Sequence, residues 1–229
     1  MRVCVIIPAY QAEKSLPQLL AQMEKVFPLN DVLVVDDGST DGTGEICRRS
    51  DVNLLTLNKN RGKGYALRTG FKWAIDSGYD AVITVDADLQ HPPNLIPQFT
   101  MALNNGADVV IGNRMRDIST MPIERRVSNF LSSFWVSLLA GKKLPDSQCG
   151  FRAIKKWVLQ KARLHFNRYQ AESELLIECC RMGANIKFIS IPTIYNGCKS
   201  YFHPILDTAR FIFFVLTYYP SRFKPNKNK

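Results

Sequence analysis

No C-x-x-C pair occurs among the six cysteines (Cys4, Cys47, Cys149, Cys179, Cys180 and Cys198), and none of them clusters with the three histidines. That spacing argues against a zinc site. Scattered thiols suit the reduced interior of a cytosolic protein better than a disulfide framework. No stretch approaches the roughly 20 consecutive apolar residues that a membrane span requires. Met1-Arg2 leads straight into a strand-like Val3–Ile7 without a signal-peptide pattern. The G-x-G-x-x-G turn is missing where Pro8-Ala9-Tyr10-Gln11 follows the first strand, and no G-x-x-x-x-G-K-[ST] loop exists either. Both common nucleotide fingerprints are therefore absent. Repeats and low-complexity tracts are absent too, and 46% hydrophobic residues in a chain of 229 suffice for a substantial core. One large α/β domain, or one with a small appendage, is expected.

Charge is plentiful but uneven. Residues 1–112 carry 10 basic and 13 acidic side chains, residues 113–168 carry 12 and 3, and residues 169–229 carry 8 and 4. The net charge of +10 therefore arises after the first half. A basic block at 113–168 suits nucleic acid, anionic lipid or a phosphorylated ligand. Nucleic acid is not expected, because no recognised module is present and the aromatics are not interleaved with the basic residues as in a stacking platform.

Short β-branched runs alternate with helical patterns. Strands are expected at Val3–Ile7 (ended by Pro8), Val32–Val35, Val52–Leu57, Val82–Val85 and Val109–Ile111. Helices are expected from a Ser15-Leu16-Pro17-Gln18 capping box to about Phe27, from Lys63 to Ser77, and near 94–104. The alternation predicts a doubly wound, mostly parallel sheet. Acids then sit at several strand ends, where open α/β sheets bind ligands. Asp86 and Asp88 follow the fourth strand, and Pro92-Pro93 forbids its continuation. A turn at Asp88 brings both carboxylates onto one hard cation, Mg²⁺ or Mn²⁺, with open positions for substrate phosphates. The alternative is that both acids only cap the helix beginning near Asn94.

Several motifs stand in register along the chain. They are Val5-Ile6-Ile7-Pro8-Ala9-Tyr10, Val34-Val35-Asp36-Asp37-Gly38-Ser39-Thr40-Asp41-Gly42-Thr43, Asn60-Arg61-Gly62-Lys63-Gly64 and Asp86-Ala87-Asp88-Leu89-Gln90-His91-Pro92-Pro93. From Val3 to about Asp207 the sequence resembles the family 2 glycosyltransferases of GT-A fold. Gly112-Asn113-Arg114, Asp146-Ser147-Gln148-Cys149-Gly150-Phe151-Arg152 and Gly197-Cys198-Lys199-Ser200 resemble the branch of dolichyl-phosphate mannose and polyprenyl-phosphate glucose synthases. The resemblance implies a GT-A domain over residues 1–198 and a membrane-associated helix with basic tail over 199–229. It implies inverting transfer of one hexose from a UDP- or GDP-sugar to a polyprenyl or dolichyl phosphate.

It also implies roles. Pro8, Ala9 and Tyr10 would line the base pocket, with Glu13 on the nucleotide and Asp37 accepting from the base's ring N–H. Gln11-Ala12 departs from the family's usual Asn-Glu. Arg61 and Lys63 would reach the diphosphate beside Ala87, while Asp86, Asp88 and Gln90 would hold the metal. His91 is not expected to join them, because hard cations prefer oxygen. Asp36 is expected only to cap the next helix. Arg114 would bind phosphate, since its fork matches phosphate oxygens. Arg125 and Arg126, with Lys199 and Ser200, would take the acceptor phosphate. Asp146, Gln148 and Arg152 would lie over sugar and acceptor, completing with Asp88 and Arg114 the expected catalytic set.

An acceptor hydroxyl needs a general base, for which Glu172 and Glu174 are candidates, although both equally suit a helix N-terminus. A phosphate acceptor is already anionic and needs positioning instead. Trp157 follows Lys155-Lys156 rather than completing Q-x-x-R-W, so processive polymerisation is not expected. Phe211–Leu216 is apolar all round a helix, then come Tyr218-Tyr219-Pro220 and Arg222, Lys224, Lys227 and Lys229 without an acid. That pattern predicts an interfacial helix holding the protein on the inner face of the cytoplasmic membrane. Its alternative is a helix packed on the domain. Two other functions stay open: transfer to a hydroxyl of a glycolipid or glycan, and a phosphate- or RNA-binding protein using the 113–168 block.

Overall fold

The computed structural model describes residues 1–116, 118, 121–194 and 204–222, with side chains of the last helix described over 208–218. Gly197, Cys198, Lys199, Ser200 and the tail lysines lie outside the described residues.

Seven strands form one sheet: β1 (Val3–Ala9), β2 (Val32–Asp36), β3 (Asn53–Thr56), β4 (Ala81–Thr84), β5 (Val109–Asn113), β6 (Arg152–Lys155) and β7 (Ile186–Ser190), in the order β3-β2-β1-β4-β6-β5-β7. All pairs are parallel except those of β6, which runs against both β4 and β5. β2 and β5 are buried throughout, because helices cover both faces of such a sheet. The helices are α1 (Leu16–Glu24), α2 (Thr43–Arg48), α3 (Lys63–Asp76), α4 (Ile96–Asn104), α5 (Ile123–Ala140), α6 (Lys156–Lys161), α7 (Gln170–Arg181) and α8 (Pro204–Arg222). The sheet is mixed, mostly parallel and doubly wound, as the alternation of strands and helices implies.

Several boundaries differ from expectation. β1 runs through Pro8 to Ala9. Its pairing with β4 stops at Ile6, while its pairing with β2 continues to Ala9, so Pro8 has one neighbour strand and its missing N–H costs little. The capping box does not form: Ser15 makes no cap bond, its hydroxyl donates instead to the Ala12 carbonyl at 3.4 Å, and α1 stops at Glu24. β6 was not foreseen, since four residues beginning with arginine carry no strand signal. Its direction matters for the site. Thr84 and Ile111 both pair with Arg152, so the start of β6 and the loop before it reach the edge where β4 and β5 end.

Candidate active site

At the ends of β1 and β2, polar side chains hold main chain. Gln11, in the left-handed region at φ 51°, accepts from the Thr40 and Asp41 amides at 3.1 Å and donates to the Thr40 hydroxyl at 2.9 Å. Glu13 Oε2 accepts from the Gly42 amide at 3.0 Å. Asp36 does not cap α2; its Oδ1 takes the Ser39 amide at 2.9 Å. Together these bonds fix the 39–42 loop beside Pro8, Ala9 and Tyr10. Asp37 is buried, with one oxygen accepting from the Arg61 amide and the other from Gly62, each at 2.7 Å. Burial pushes its carboxyl above the usual range. The expected base contact must therefore share a carboxylate that already carries the 61–62 turn. Gly62 is obligatory there: its φ is +97°, and a Cβ would lie 2.6 Å from the Asn167 carbonyl oxygen. The exposed Arg61 guanidinium stacks on Tyr65, 4.7 Å from the ring centre.

The acidic centre follows β4. Leu89 sits in the left-handed region at φ 63°, an uncommon conformation for a leucine, so the Asp86–Gln90 turn is held under strain. Asp88 Oδ1 accepts from the Gln90 amide at 3.0 Å. His91 is buried and stacked on Phe151, and its Nδ1 accepts from the Asp86 amide at 3.0 Å. That bond consumes the ring's lone pair, and burial holds the imidazole neutral, with its pKa pushed down to about 4. His91 therefore supports the turn rather than offering a ligand nitrogen.

Lys63 enters from the start of α3. Its Nζ lies 2.6 Å from Asp86 Oδ1 and 3.0 Å from Glu172 Oε1. Burial opposes ionisation of Asp86, but the Lys63 ammonium outweighs it and keeps the carboxyl below its ordinary value. Asp88 goes the other way, raised by burial and then by the Asp86 charge. Gly150 completes the wall, since a Cβ there would meet Asp86 Oδ2 at 2.6 Å and Glu172 Oε1 at 2.9 Å. The Lys63–Glu172 bridge and the Gly150 contact were not read from the sequence; the only signal was the glycine inside Cys149-Gly150-Phe151.

In the third wall three of the expected site residues, Arg114, Asp146 and Arg152, are engaged by the protein itself. Arg114 forms a fork on Asp146, with Nε to Oδ2 and Nη2 to Oδ1 both at 2.9 Å, so its guanidinium is already matched to a carboxylate. Asp146 is wholly buried and accepts also from the Arg114 and Gln148 amides, so its carboxylate is bound within the protein. Burial resists its ionisation, but Arg114 holds its pKa down. Arg152 is buried too and donates to the carbonyls of Cys149 (2.8 Å), Glu172 (2.6 Å) and Ser147 (2.8 Å). Each of its three nitrogens donates to a main-chain carbonyl, which makes Arg152 a staple between the 147–149 loop and α7. Gln148 remains half-buried, its Nε2 donating to the Ser147 and Ser173 hydroxyls at 3.0 and 3.1 Å. Arg125 and Arg126 lie in the first turn of α5, Arg126 donating to the Met121 carbonyl at 2.7 Å. Glu174 is fully buried: its carboxylate accepts from the His165 and Phe166 amides at 2.9 and 3.0 Å and from Tyr218 of α8 at 2.8 Å.

Residues 4–207 match the model of glycosyl transferase family 2. The chain belongs to that family. Among its relatives is an undecaprenyl-phosphate mannosyltransferase of Micrococcus luteus, 32% identical over 202 residues, covering 83% of each chain. Another is a UDP-N-acetylglucosamine–dolichyl-phosphate N-acetylglucosaminyltransferase of Methanococcus voltae, 32% identical over 217 residues, with 85% of this chain and 86% of the relative covered. A similar fold occurs in the crystal structure of glucosyl-3-phosphoglycerate synthase from Mycobacterium tuberculosis with Mn²⁺, UDP-glucose and phosphoglyceric acid. It superposes with a TM-score of 0.76 at 18% identity, over 99% of this chain and 81% of the other. The GT-A fold is thereby assigned.

For a member of family 2, the donor set after β4 fits a hard divalent cation. Asp86 and Asp88 supply carboxylate oxygens and Gln90 an amide oxygen, all on one strained turn. Among the described residues no group of three or more His, Cys, Asp or Glu side chains forms an all-protein cage. A site of one or two carboxylates completed by substrate phosphates is the arrangement Mg²⁺ favours.

Proposed function

We propose that this family 2 glycosyltransferase moves one hexose from a UDP- or GDP-sugar to a polyprenyl phosphate, with inversion. The observation that carries this reading is the Asp86-Ala87-Asp88-Leu89-Gln90 turn at the carboxyl edge of the parallel strands, with Lys63 beside it. Relatives named for undecaprenyl- and dolichyl-phosphate transfer support the acceptor class.

In this reading Pro8, Ala9 and Tyr10 line the base pocket, Glu13 holds its rim, and Asp37 shapes the 61–62 turn over the nucleotide. Asp86, Asp88 and Gln90 hold Mg²⁺ or Mn²⁺, which when bound neutralises the diphosphate leaving group. Lys63 and Arg61 add positive charge on the same side. A phosphate oxygen of the acceptor forms the new bond to the anomeric carbon, and the diphosphate leaves with the electron pair of the old one. Arg125 and Arg126, with Lys199 and Ser200, position that acceptor. Asp146, Arg114 and Arg152 are positioning residues that fix the loop bearing Gln148 and Gly150.

The state of the two glutamates favours phosphate over hydroxyl as acceptor. Glu172 is paired with Lys63, and Glu174 is sealed under α8. Neither offers the unencumbered carboxylate that a general base needs, and a phosphate anion requires none. Since such an acceptor resides in a bilayer, the protein works at the inner face of the cytoplasmic membrane, held there by α8 and its basic tail. No helix among the described residues is long and apolar enough to cross it.

A screen of UDP- and GDP-hexoses against undecaprenyl phosphate, with and without a chelator, tests this. The expected product is a prenyl phosphate heavier by one hexose, formed with one nucleotide class and lost on chelation. Nucleic-acid binding that survives chelation and falls steeply with salt would instead favour the basic-block alternative.

A further inference from the structure

Nine of the eleven large hydrophobic side chains that stand exposed among the described residues lie on two helices, α5 and α8, which pack against each other. On α5 they are Ile123, Val127, Phe130, Leu131, Phe134 and Trp135; on α8 they are Ile212, Phe213 and Leu216. Phe130, Phe213 and Leu216 are each 64% exposed and Ile123 is 72% exposed, far beyond incidental surface apolarity.

The spacing explains why. Successive helical residues turn by about 100°, so Ile123, Val127, Phe130 and Phe134 fall within about 60° of one another. Leu131 and Trp135 flank that stripe on one side and buried Ser133 on the other, while buried Val136 and Leu139 point the opposite way. α8 repeats the design, with Phe214 and Tyr218 buried against Phe166 while Ile212, Phe213 and Leu216 face outward. Each helix thus has one face for the core and a second apolar face that the core does not use.

We infer that α5 and α8 form a single docking face that seats on an anionic bilayer surface, with α5 supplying the larger share. This deepens the proposed function by naming where the membrane meets the protein. Charge selects the occupant. Arg125 and Arg126 stand at the start of α5 and exposed Lys142 and Lys143 directly follow its end, while in the sequence Arg222 ends α8 and Lys224, Lys227 and Lys229 come after it without an acid. An anionic lipid surface complements the basic residues at both ends of α5. A second copy docked through the same patch would bring two identical basic rims together, which disfavours that occupant. Aromatics and aliphatics at acyl depth with basic residues at headgroup depth is the pattern of an interfacial helix. The first turn of α5 then meets the headgroups, where the phosphate of a prenyl phosphate also lies.

The test uses the full chain and phosphatidylcholine–phosphatidylglycerol vesicles without prenyl phosphate. Wild type should sediment with the vesicles, and Trp135 emission should shift to the blue and be quenched by brominated lipid, a response lost in Trp135→Phe. The double variant Phe130→Asp/Phe134→Asp should lose at least about tenfold in partitioning. It should keep its thermal midpoint, because neither ring packs in the core. Two acids on exposed α1 positions, Gln18→Asp/Ala21→Asp, should leave partitioning within about twofold of wild type, separating lost apolar contact from added charge. Partitioning of the α5 double variant equal to wild type, or an unchanged Trp135 spectrum, overturns the inference. Concentration-dependent dimers abolished by the same variant, with no vesicle binding, would assign the face to a second copy. Failure of the functional reading looks different: vesicle binding persists without transfer to any prenyl phosphate. Failure of docking alone leaves transfer to a short water-soluble prenyl phosphate intact.

Discussion

The edge formed by β1, β2 and β4 and the surface formed by α5 and α8 solve opposite problems. At the edge, short polar side chains are spent on main chain: Asp37 on residues 61–62, Gln11 on 40–41, Glu13 on Gly42, His91 on Asp86. Little there is free to move, as a site for a charged nucleotide requires. On α5 and α8 the outward side chains are large, apolar and without protein partners in the core. The first region holds a small polar ligand by pre-organisation. The second leaves unsatisfied apolar area for something outside the chain. Glu174 is the hinge between them, because the carboxylate that orders residues 165–166 also takes the Tyr218 hydroxyl of α8.

The largest effect should come from the edge. Asp88→Asn keeps the oxygen that accepts from Gln90 but removes the charge, so folding should be unchanged while transfer falls on the order of a thousandfold or more. Circular dichroism and a radiolabelled-sugar assay check both halves. Near-normal turnover by the folded variant would remove Asp88 from the metal site.

Asp146→Ala should strike stability before chemistry. It leaves the Arg114 guanidinium without its buried carboxylate, and breaking such a pair costs about 3–5 kcal/mol. Urea unfolding measures the loss. A midpoint equal to wild type, with transfer abolished, would return Asp146 to direct contact with substrate.

The legibility of these regions differed in the same way. The strands at the edge and the acids at their ends follow from β-branched runs and prolines, which are local signals, whereas the spatial order of the strands does not. The parts missed are those made by distant residues: Gly150 pressed on Asp86, Lys63 shared with Glu172, and Arg152 turned inward onto three carbonyls. An arginine in a motif resembling a family's suggests phosphate, and only the fold shows each of its nitrogens donating to a main-chain carbonyl. β6 escaped notice because four residues carry no periodicity, although it brings the 146–151 loop to the site. α8 packs on the domain through Phe214 and Tyr218 while Phe213 and Leu216 face out, and its seat on a membrane stays a proposal.

Arg125→Ala/Arg126→Ala sharpens the boundary between the regions. A charge-assisted bond to phosphate is worth about 1.5–3 kcal/mol, so the acceptor KM should rise about tenfold or more while nucleotide affinity stays within twofold of wild type, roughly the margin of a contact not made. Steady-state kinetics with each substrate varied in turn, plus calorimetric nucleotide binding, reads the split. Collapse of nucleotide binding would place these arginines at the donor.

The smallest effect should be Tyr218→Phe. It removes one hydrogen bond onto buried Glu174 and should cost about 1–3 kcal/mol in urea unfolding, with turnover on a soluble prenyl phosphate little changed. Loss of that turnover in a folded variant would mean that α8 acts on the site as well as on the fold.

Glu172 and Glu174 are both committed and so disfavour a hydroxyl acceptor, which needs a general base, whereas a phosphate acceptor is already anionic and needs none. The direct measurement sets undecaprenyl phosphate against undecaprenol, with the purified protein, its cognate nucleotide sugar and Mg²⁺ or Mn²⁺, and reads product mass. The account predicts a hexosyl-phosphoryl-undecaprenol from the phosphate and no glycoside from the alcohol. Comparable transfer to the alcohol, or transfer to the alcohol alone, would contradict it.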